Sequence, residues 1–105
     1  MLFSEKYREV KSPATGNYKV KGSKFIAYVY PVYSQEDIKE KINYIKTKEK
    51  GANHYCYAYT LHPDKSAKRS NDDGEPNSTA GLPILKIIEK YDLTNTIIIV
   101  VRYFG

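Results

Sequence analysis

The run Ile97-Ile98-Ile99-Val100-Val101 constrains the fold of this chain more than any other segment. Every position is apolar and β-branched, so Thr96 to Tyr103 reads as a strand with two apolar faces, placed centrally in a sheet. The run is also far too short for a bilayer, which needs roughly 18 apolar residues. The remaining segments read around it. Tyr18 to Lys21 and Ser23 to Val32 are two strands broken near Gly22, and His54 to Leu61 is another. Ser34-Gln35-Glu36-Asp37 opens a helix with a capping hydroxyl and a carboxylate three residues on. Ile38, Ile42 and Ile45 give that helix one apolar stripe, and Gly51 ends it. A long loop occupies 62–78. Thr79 to Tyr91 forms a second helix with Leu85, Ile88 and Tyr91 turned inward. These elements predict an α+β fold, a two-layer α/β arrangement with a mixed, mostly antiparallel sheet. Both helices are expected on one face, because two amphipathic helices are too few to cover both faces of four or more strands.

A chain of 105 residues with 41% hydrophobic and 28% charged side chains has the make-up of one globular domain, taken as 1–105. Cys56 is the single cysteine, which excludes an internal disulfide and suits a reducing compartment. The opening Met1-Leu2-Phe3-Ser4-Glu5-Lys6 lacks a secretory pattern, because charges interrupt it. The expected location is the cytoplasm, with no membrane partner. The net charge of +5 lies in residues 1–50, which hold eleven basic and six acidic side chains. A basic half of this kind raises affinity for phosphate backbones. It is equally an ordinary lysine-rich solvated surface, and lysine outnumbers arginine fourteen to three, whereas arginine is the better bidentate reader of phosphate.

The richest chemistry lies between Arg69 and Leu85. Asp72, Asp73, Glu75 and Arg69 share a loop with Gly74, Pro76, Gly81 and Pro83, residues that restrict or specially permit backbone geometry. Such a loop delivers its groups to the positive end of a helix, with Ser78 or Thr79 as the natural N-cap. It is either a shaped binding loop or a plain connection with a good cap.

Strand His54 to Leu61 sorts Tyr55, Tyr57 and Tyr59 onto one face and Cys56 and Ala58 onto the other. The small residues should lie beneath a helix. Tyr28 and Tyr30 can join the other three tyrosines in an open aromatic plate rimmed by Lys19, Lys21 and Lys24. That pattern stacks unpaired bases in several sheet proteins, although tyrosines also fill half-buried sheets. His54, His62, Asp72, Asp73 and Glu75 lack the close spacing of a metal site, so neither a metal nor another cofactor is expected. Cys56 sits in a packing position, and Ser70, Ser78 and Thr79 have no evident base. No catalytic residue is assigned.

Five motifs in order resemble the Impact/YigZ family: Ser23-Lys24-Phe25-Ile26-Ala27, His54 to Tyr59, DDGEP at 72–76 followed by TAG at 79–81, PIL at 83–85, and VVRYFG at 100–105. Asn77-Ser78 departs from the Ser-Gly usual there. The resemblance implies a fold like the second domain of ribosomal protein S5 and the matching domain of elongation factor G. It also implies a longer two-domain protein, of which this chain is a fragment. Eukaryotic members of the family resemble translation regulators that compete for the activator of a starvation kinase, and bacterial members are guessed to bind nucleic acid or the ribosome. The positions carried over are Arg69, Asp72, Asp73, Gly74, Glu75, Thr79, Ala80, Gly81, Pro83, Arg102, Tyr103 and Gly105. Three functions follow as expectations: an RNA- or ribosome-associated module without turnover, a regulator docking on a translation-related protein through Asp72-Asp73-Gly74-Glu75, and, trailing these, a phosphate-ester hydrolase.

Overall fold

Five strands and two helices alternate in a computed structural model that describes residues 7–105; the reading of Met1–Lys6 lies outside the described residues. In chain order they are β1 (Ala14–Val20), β2 (Ser23–Pro31), α1 (Gln35–Lys48), β3 (His54–Leu61), β4 (Ala67–Asn71), α2 (Gly81–Lys90) and β5 (Thr96–Tyr103). The strands form one sheet in the order β1-β2-β5-β3-β4, and every pairing is antiparallel. The α+β class holds, and β5 takes the central place that its apolar run demands. Ile97, Ile99 and Val101 have no exposed surface. Burying each such side chain contributes about 1.5–3 kcal/mol, so this strand anchors the sheet.

The two helices do not share a face. Ile38 and Ile45 of α1 pack with Tyr28, Tyr59, Ile97, Ile99 and Val101, whereas Ile84 and Ile88 of α2 pack with Cys56, Ala58, Ile98 and Val100. Alternation along β5 assigns these two sets to opposite sides of the sheet. The molecule is therefore a helix–sheet–helix arrangement, not two layers. The physical reason is β5 itself. A strand apolar from Ile97 to Val101 exposes hydrocarbon unless both faces are covered, so each face carries a helix, α1 on the side of Ile97, Ile99 and Val101 and α2 on that of Ile98 and Val100. All of β1 is exposed.

Helix α1 follows its sequence closely. Ser34 Oγ accepts the Asp37 backbone N–H at 3.0 Å, and Lys46 and Lys48 lie in the last turn, where the helix dipole favours cations. Other features depart from the expected elements, among them β1, which begins at Ala14 and not at Tyr18, and α2, which begins at Gly81 and not at Thr79. Strand β4 lies inside the segment 62–78 expected to be all loop: Ala-Lys-Arg-Ser-Asn has no strand signature, but it pairs with β3 from Leu61↔Ala67 to Tyr57↔Asn71. In α2 Ile84 and Ile88 are buried and Leu85 is partly buried against the same cluster, while Tyr91 is 52% exposed just beyond the helix. Among the described residues, no helix is long and apolar enough to cross a membrane.

Candidate functional site

The loop joining β4 to α2 is tied down by backbone donors. Asp72 Oδ1 accepts the N–H groups of Gly81 at 2.7 Å and Ala80 at 3.1 Å, and Oδ2 accepts that of Ser78 at 2.9 Å. Helix α2 has no side-chain cap from its own flanking residue, Ala80. Asp72, nine positions before Gly81, satisfies the orphan donors in place of the expected Ser78 or Thr79. The Gly81 and Ser78 N–H groups hold the Asp72 carboxyl below its ordinary value, against a smaller opposing effect of burial. Thr79 instead turns its hydroxyl back to the Pro76 carbonyl. Gly81 must be glycine: a Cβ there would lie 2.6 Å from the Asn71 backbone nitrogen.

Asp73 and Gly74 bend this loop onto the start of β3. Asp73 Oδ2 accepts the Tyr55 backbone N–H at 2.7 Å, and the Asp73 carbonyl accepts from His54 Nδ1 at 2.6 Å. Asp73 and Gly74 have φ of 45° and 87°. The left-handed backbone suits Gly74 without strain and is tolerated by aspartate. Cys56 Sγ donates to the Asp72 carbonyl at 3.2 Å. The thiol lies beneath α2 as expected, and burial, followed by the nearby Glu75, Asp73 and Asp72 carboxylates, pushes it up to about 12. A protonated, buried thiol is no nucleophile at neutral pH.

Arg102 projects from β5 to meet this loop. Its Nη1 donates to Glu75 Oε1 and Oε2 at 2.9 and 3.0 Å, while Nε and Nη2 donate to Ser23 Oγ at 3.3 and 3.2 Å. The guanidinium carbon lies 4.8 Å from the Phe104 ring centre and 5.4 Å from that of Phe25. His54 Nε2 stands 3.8 Å from Glu75 Oε1. Arg102 therefore links three of the quoted motifs through one planar cation, the geometry for which arginine and lysine are not interchangeable. Ser23 Oγ thus accepts two of the guanidinium's donors.

Beside the cluster lies a groove of ≈ 470 Å³ between α2 and the β1–β2 hairpin. Tyr18 and Phe25 stack at 4.9 Å on one wall, Pro83, Ile84 and Ile87 form the other, and Glu75, Pro76 and Arg102 close one end. Tyr18 and Ile87 are each about half exposed (50% and 49%), unusual for large side chains that face one another across a cleft. Helix α2 sits over β3 and β4 and leaves β1 and β2 uncovered on this side. The sequence gives no periodic signal for the groove, because its walls come from segments some sixty residues apart.

The expected site residues separate into distinct places. Asp72, Asp73, Gly74, Glu75, Thr79, Gly81 and Arg102 come together as described. Arg69 does not: it lies in β4 opposite Tyr59, on the α1 side of the sheet. Tyr103 also points to that side, where its hydroxyl donates to Glu49 Oε1 at 2.5 Å. The aromatic plate of Tyr28, Tyr30, Tyr55, Tyr57 and Tyr59 forms on one face, as the alternation predicts, but it is not open. Helix α1 lies over it, leaving Tyr28 6% and Tyr59 7% exposed and Tyr30, Tyr55 and Tyr57 half-buried. The cause is the same two-sided apolarity of β5. Lys19 and Lys24 pair in register across the β1–β2 hairpin, with Lys21 in its turn, so these three lysines mark the hairpin tip. Sequence reading missed Glu49. Its carboxylate accepts the Tyr28 and Tyr103 hydroxyls, and its carbonyl accepts that of Tyr55. Burial pushes the Glu49 carboxyl up, but the Tyr103 and Tyr28 donors with Lys24 and Lys48 outweigh it, and the net shift is downward. Among the described residues, no three His, Cys, Asp or Glu side chains are placed to hold a metal ion.

Residues 21–105 match the family model of the Impact N-terminal domain. An IMPACT family member of Bacillus subtilis, YvyE, is 35% identical over 99 residues, which is 94% of this chain and 46% of that protein. The crystal structure of a hypothetical protein superposes with a TM-score of 0.89 at 28% identity, covering 92% of this chain and 48% of that one. A two-domain translational regulator, Yih1, gives a TM-score of 0.58 at 32% identity, covering 90% of this chain and 36% of its own. The chain spans about half the length of the B. subtilis relative. With most of its length matched by the family model and by a relative 35% identical, this chain belongs to the Impact family.

Proposed function

We propose that the domain is a protein-docking module of a translation regulator, and that the groove between α2 and the β1–β2 hairpin receives the partner. The observation that carries this reading is the pairing of a rigid polar end with exposed apolar walls. The Asp72–Glu75 loop spends its polar groups on the fold, so it shapes one end of the groove. Tyr18 and Ile87 present hydrocarbon to solvent beside it. Interfaces of this composition take an apolar segment of a partner in the centre and leave polar contacts to the rim. The similarity to the regulator Yih1 supports a setting in translation. The RNA-stacking reading has less support, because α1 buries Tyr28 and Tyr59 and half-buries Tyr30, Tyr55 and Tyr57.

The test compares the wild-type chain with Ile87→Asp as bait in cell lysate, after ribonuclease treatment and a high-salt wash. Ile87 is half exposed, so the variant should fold. Wild type should retain a translation factor that Ile87→Asp loses. Equal retention by both baits, or retention that ribonuclease abolishes, would overturn the reading.

A further inference from the structure

Strand β1 is an open edge. It lies at one end of the order β1-β2-β5-β3-β4, so nothing among the described residues pairs with its outer side, and all 7 of its residues are exposed. Its ladder to β2 runs without a bulge from Ala14↔Val29 to Val20↔Ser23. A long regular edge is a template for another strand, and proteins blunt such edges with charges, proline or a bulge. The opposite edge, β4, is guarded in this way. It has 5 residues, among them Lys68 and Arg69, and Lys68 is tied to Glu89 of α2. In β1, Lys19 is the single charged residue and proline is absent.

The hairpin turn fixes which backbone groups of β1 face outward. Lys21 and Gly22 have φ of 48° and 86°, as a two-residue type I′ turn requires. The turn's own hydrogen bond makes Val20↔Ser23 a hydrogen-bonded pair. Alternation then directs the N–H and carbonyl groups of Thr15, Asn17 and Lys19 away from β2. Asn17 is the midpoint of the strand. A second copy running antiparallel about a two-fold axis at Asn17 meets each of these donors and acceptors with a complement, and pairs the strand along its whole length.

The side chains fit the same register. Tyr18 falls opposite Gly16 of the second copy, Val20 opposite its Ala14, and Lys19 opposite its Thr15. Each pair sets a larger side chain beside a smaller one. A Cβ built on Gly16 meets nothing within 4 Å, so the Tyr18 ring has room there, and aromatic cover of an edge glycine is a known stabilising device. The axis also sends the two hairpin turns to opposite ends, about 20 Å apart, beyond the roughly 10 Å over which exposed charges act at moderate salt. Lys21 of one copy therefore stays clear of Lys21 of the other. Any other position of the axis leaves part of the strand unpaired, and one at Lys19 opposes two lysines.

We infer that two copies of this chain associate edge to edge through β1, antiparallel about Asn17, into one continuous sheet. The contact leaves the groove open, because α2 stands over β3 and β4 and the pairing is edge-on, so it is independent of the partner assigned to that groove.

Sedimentation velocity of the chain across a range of concentrations tests the association. Wild type should pass from monomer to dimer as concentration rises. Asn17→Pro removes both N–H donors at the axis and none that β2 uses, and edge strands accept proline, so dimerisation should weaken about tenfold or more. A control, Tyr44→Ser on the exposed side of α1, should associate as wild type does. Cysteine cross-linking tests the register and does not depend on the proline variant folding. Cys56 is buried, so a new surface thiol reports alone. In Asn17→Cys the two Cα atoms would lie about 5.5 Å apart, within disulfide reach, and mild oxidation should link the copies. In Lys19→Cys they would be about 14 Å apart, and no link should form. A monomer at every concentration, or undiminished association of a folded Asn17→Pro, would overturn the inference. So would equal cross-linking at positions 17 and 19.

Discussion

Removing Arg102 and Glu75 singly and together tests whether the loop is held by this pair. The Glu75 side chain is 10% exposed and that of Arg102 31%. Exposed ion pairs are worth about 0.2–1 kcal/mol, and stripping one partner from a buried pair costs about 3–5 kcal/mol. The Glu75–Arg102 contact lies between these limits, so its coupling energy in a double-mutant cycle should be about 1–2 kcal/mol. The single variants should differ. In Glu75→Ala, Arg102 keeps both bonds to Ser23 and its place between Phe25 and Phe104, so the loss should be about 1–2 kcal/mol. In Arg102→Ala, Glu75 stays largely buried with only His54 nearby, at 3.8 Å, and the loss should reach about 2–3 kcal/mol. Urea unfolding of the four proteins measures all three quantities. Losses that add to within about 0.5 kcal/mol would show that the two groups act independently and that the loop does not depend on their contact. A costlier Glu75→Ala would refute the orphaned-carboxylate argument.

Two further variants probe the same loop. Gly81→Ala gains up to about 1 kcal/mol of helix propensity but drives a Cβ into the Asn71 backbone, which overpacking costs of about 1–3 kcal/mol should outweigh; stability equal to or above wild type would refute the close approach. Asp72 has a lowered folded-state pKa, so its contribution is present above the ordinary aspartate value and is lost as pH falls through the folded-state value. Asp72→Asn should therefore be less sensitive to acid than wild type, and superimposable acid limbs would show that the carboxylate is not the helix cap.

Much of the fold was legible because local chemistry and tertiary structure agree. Ser34 caps α1, the Ile38 and Ile45 stripe faces the sheet, Cys56 and Ala58 lie under a helix, and the run at 97–101 sits at the centre. These follow from periodicity and propensity, which act within a few residues. Strand β4 was not legible, because its polar residues become a strand only through pairing with β3. The side of the sheet each helix covers was not legible either, since alternation sorts side chains into two sets without saying what lies over each. That placement decided the fate of the tyrosines, which the sequence grouped correctly but of which α1 buries Tyr28 and Tyr59 and half-buries the rest. The loop's residues were readable as a group, yet their partners were not. Asp72 caps a helix nine residues away, and Arg102 bridges Ser23 and Glu75 across 79 and 27 positions. Contacts of that separation exist only once the chain has closed on itself, so only the tertiary structure could assign them.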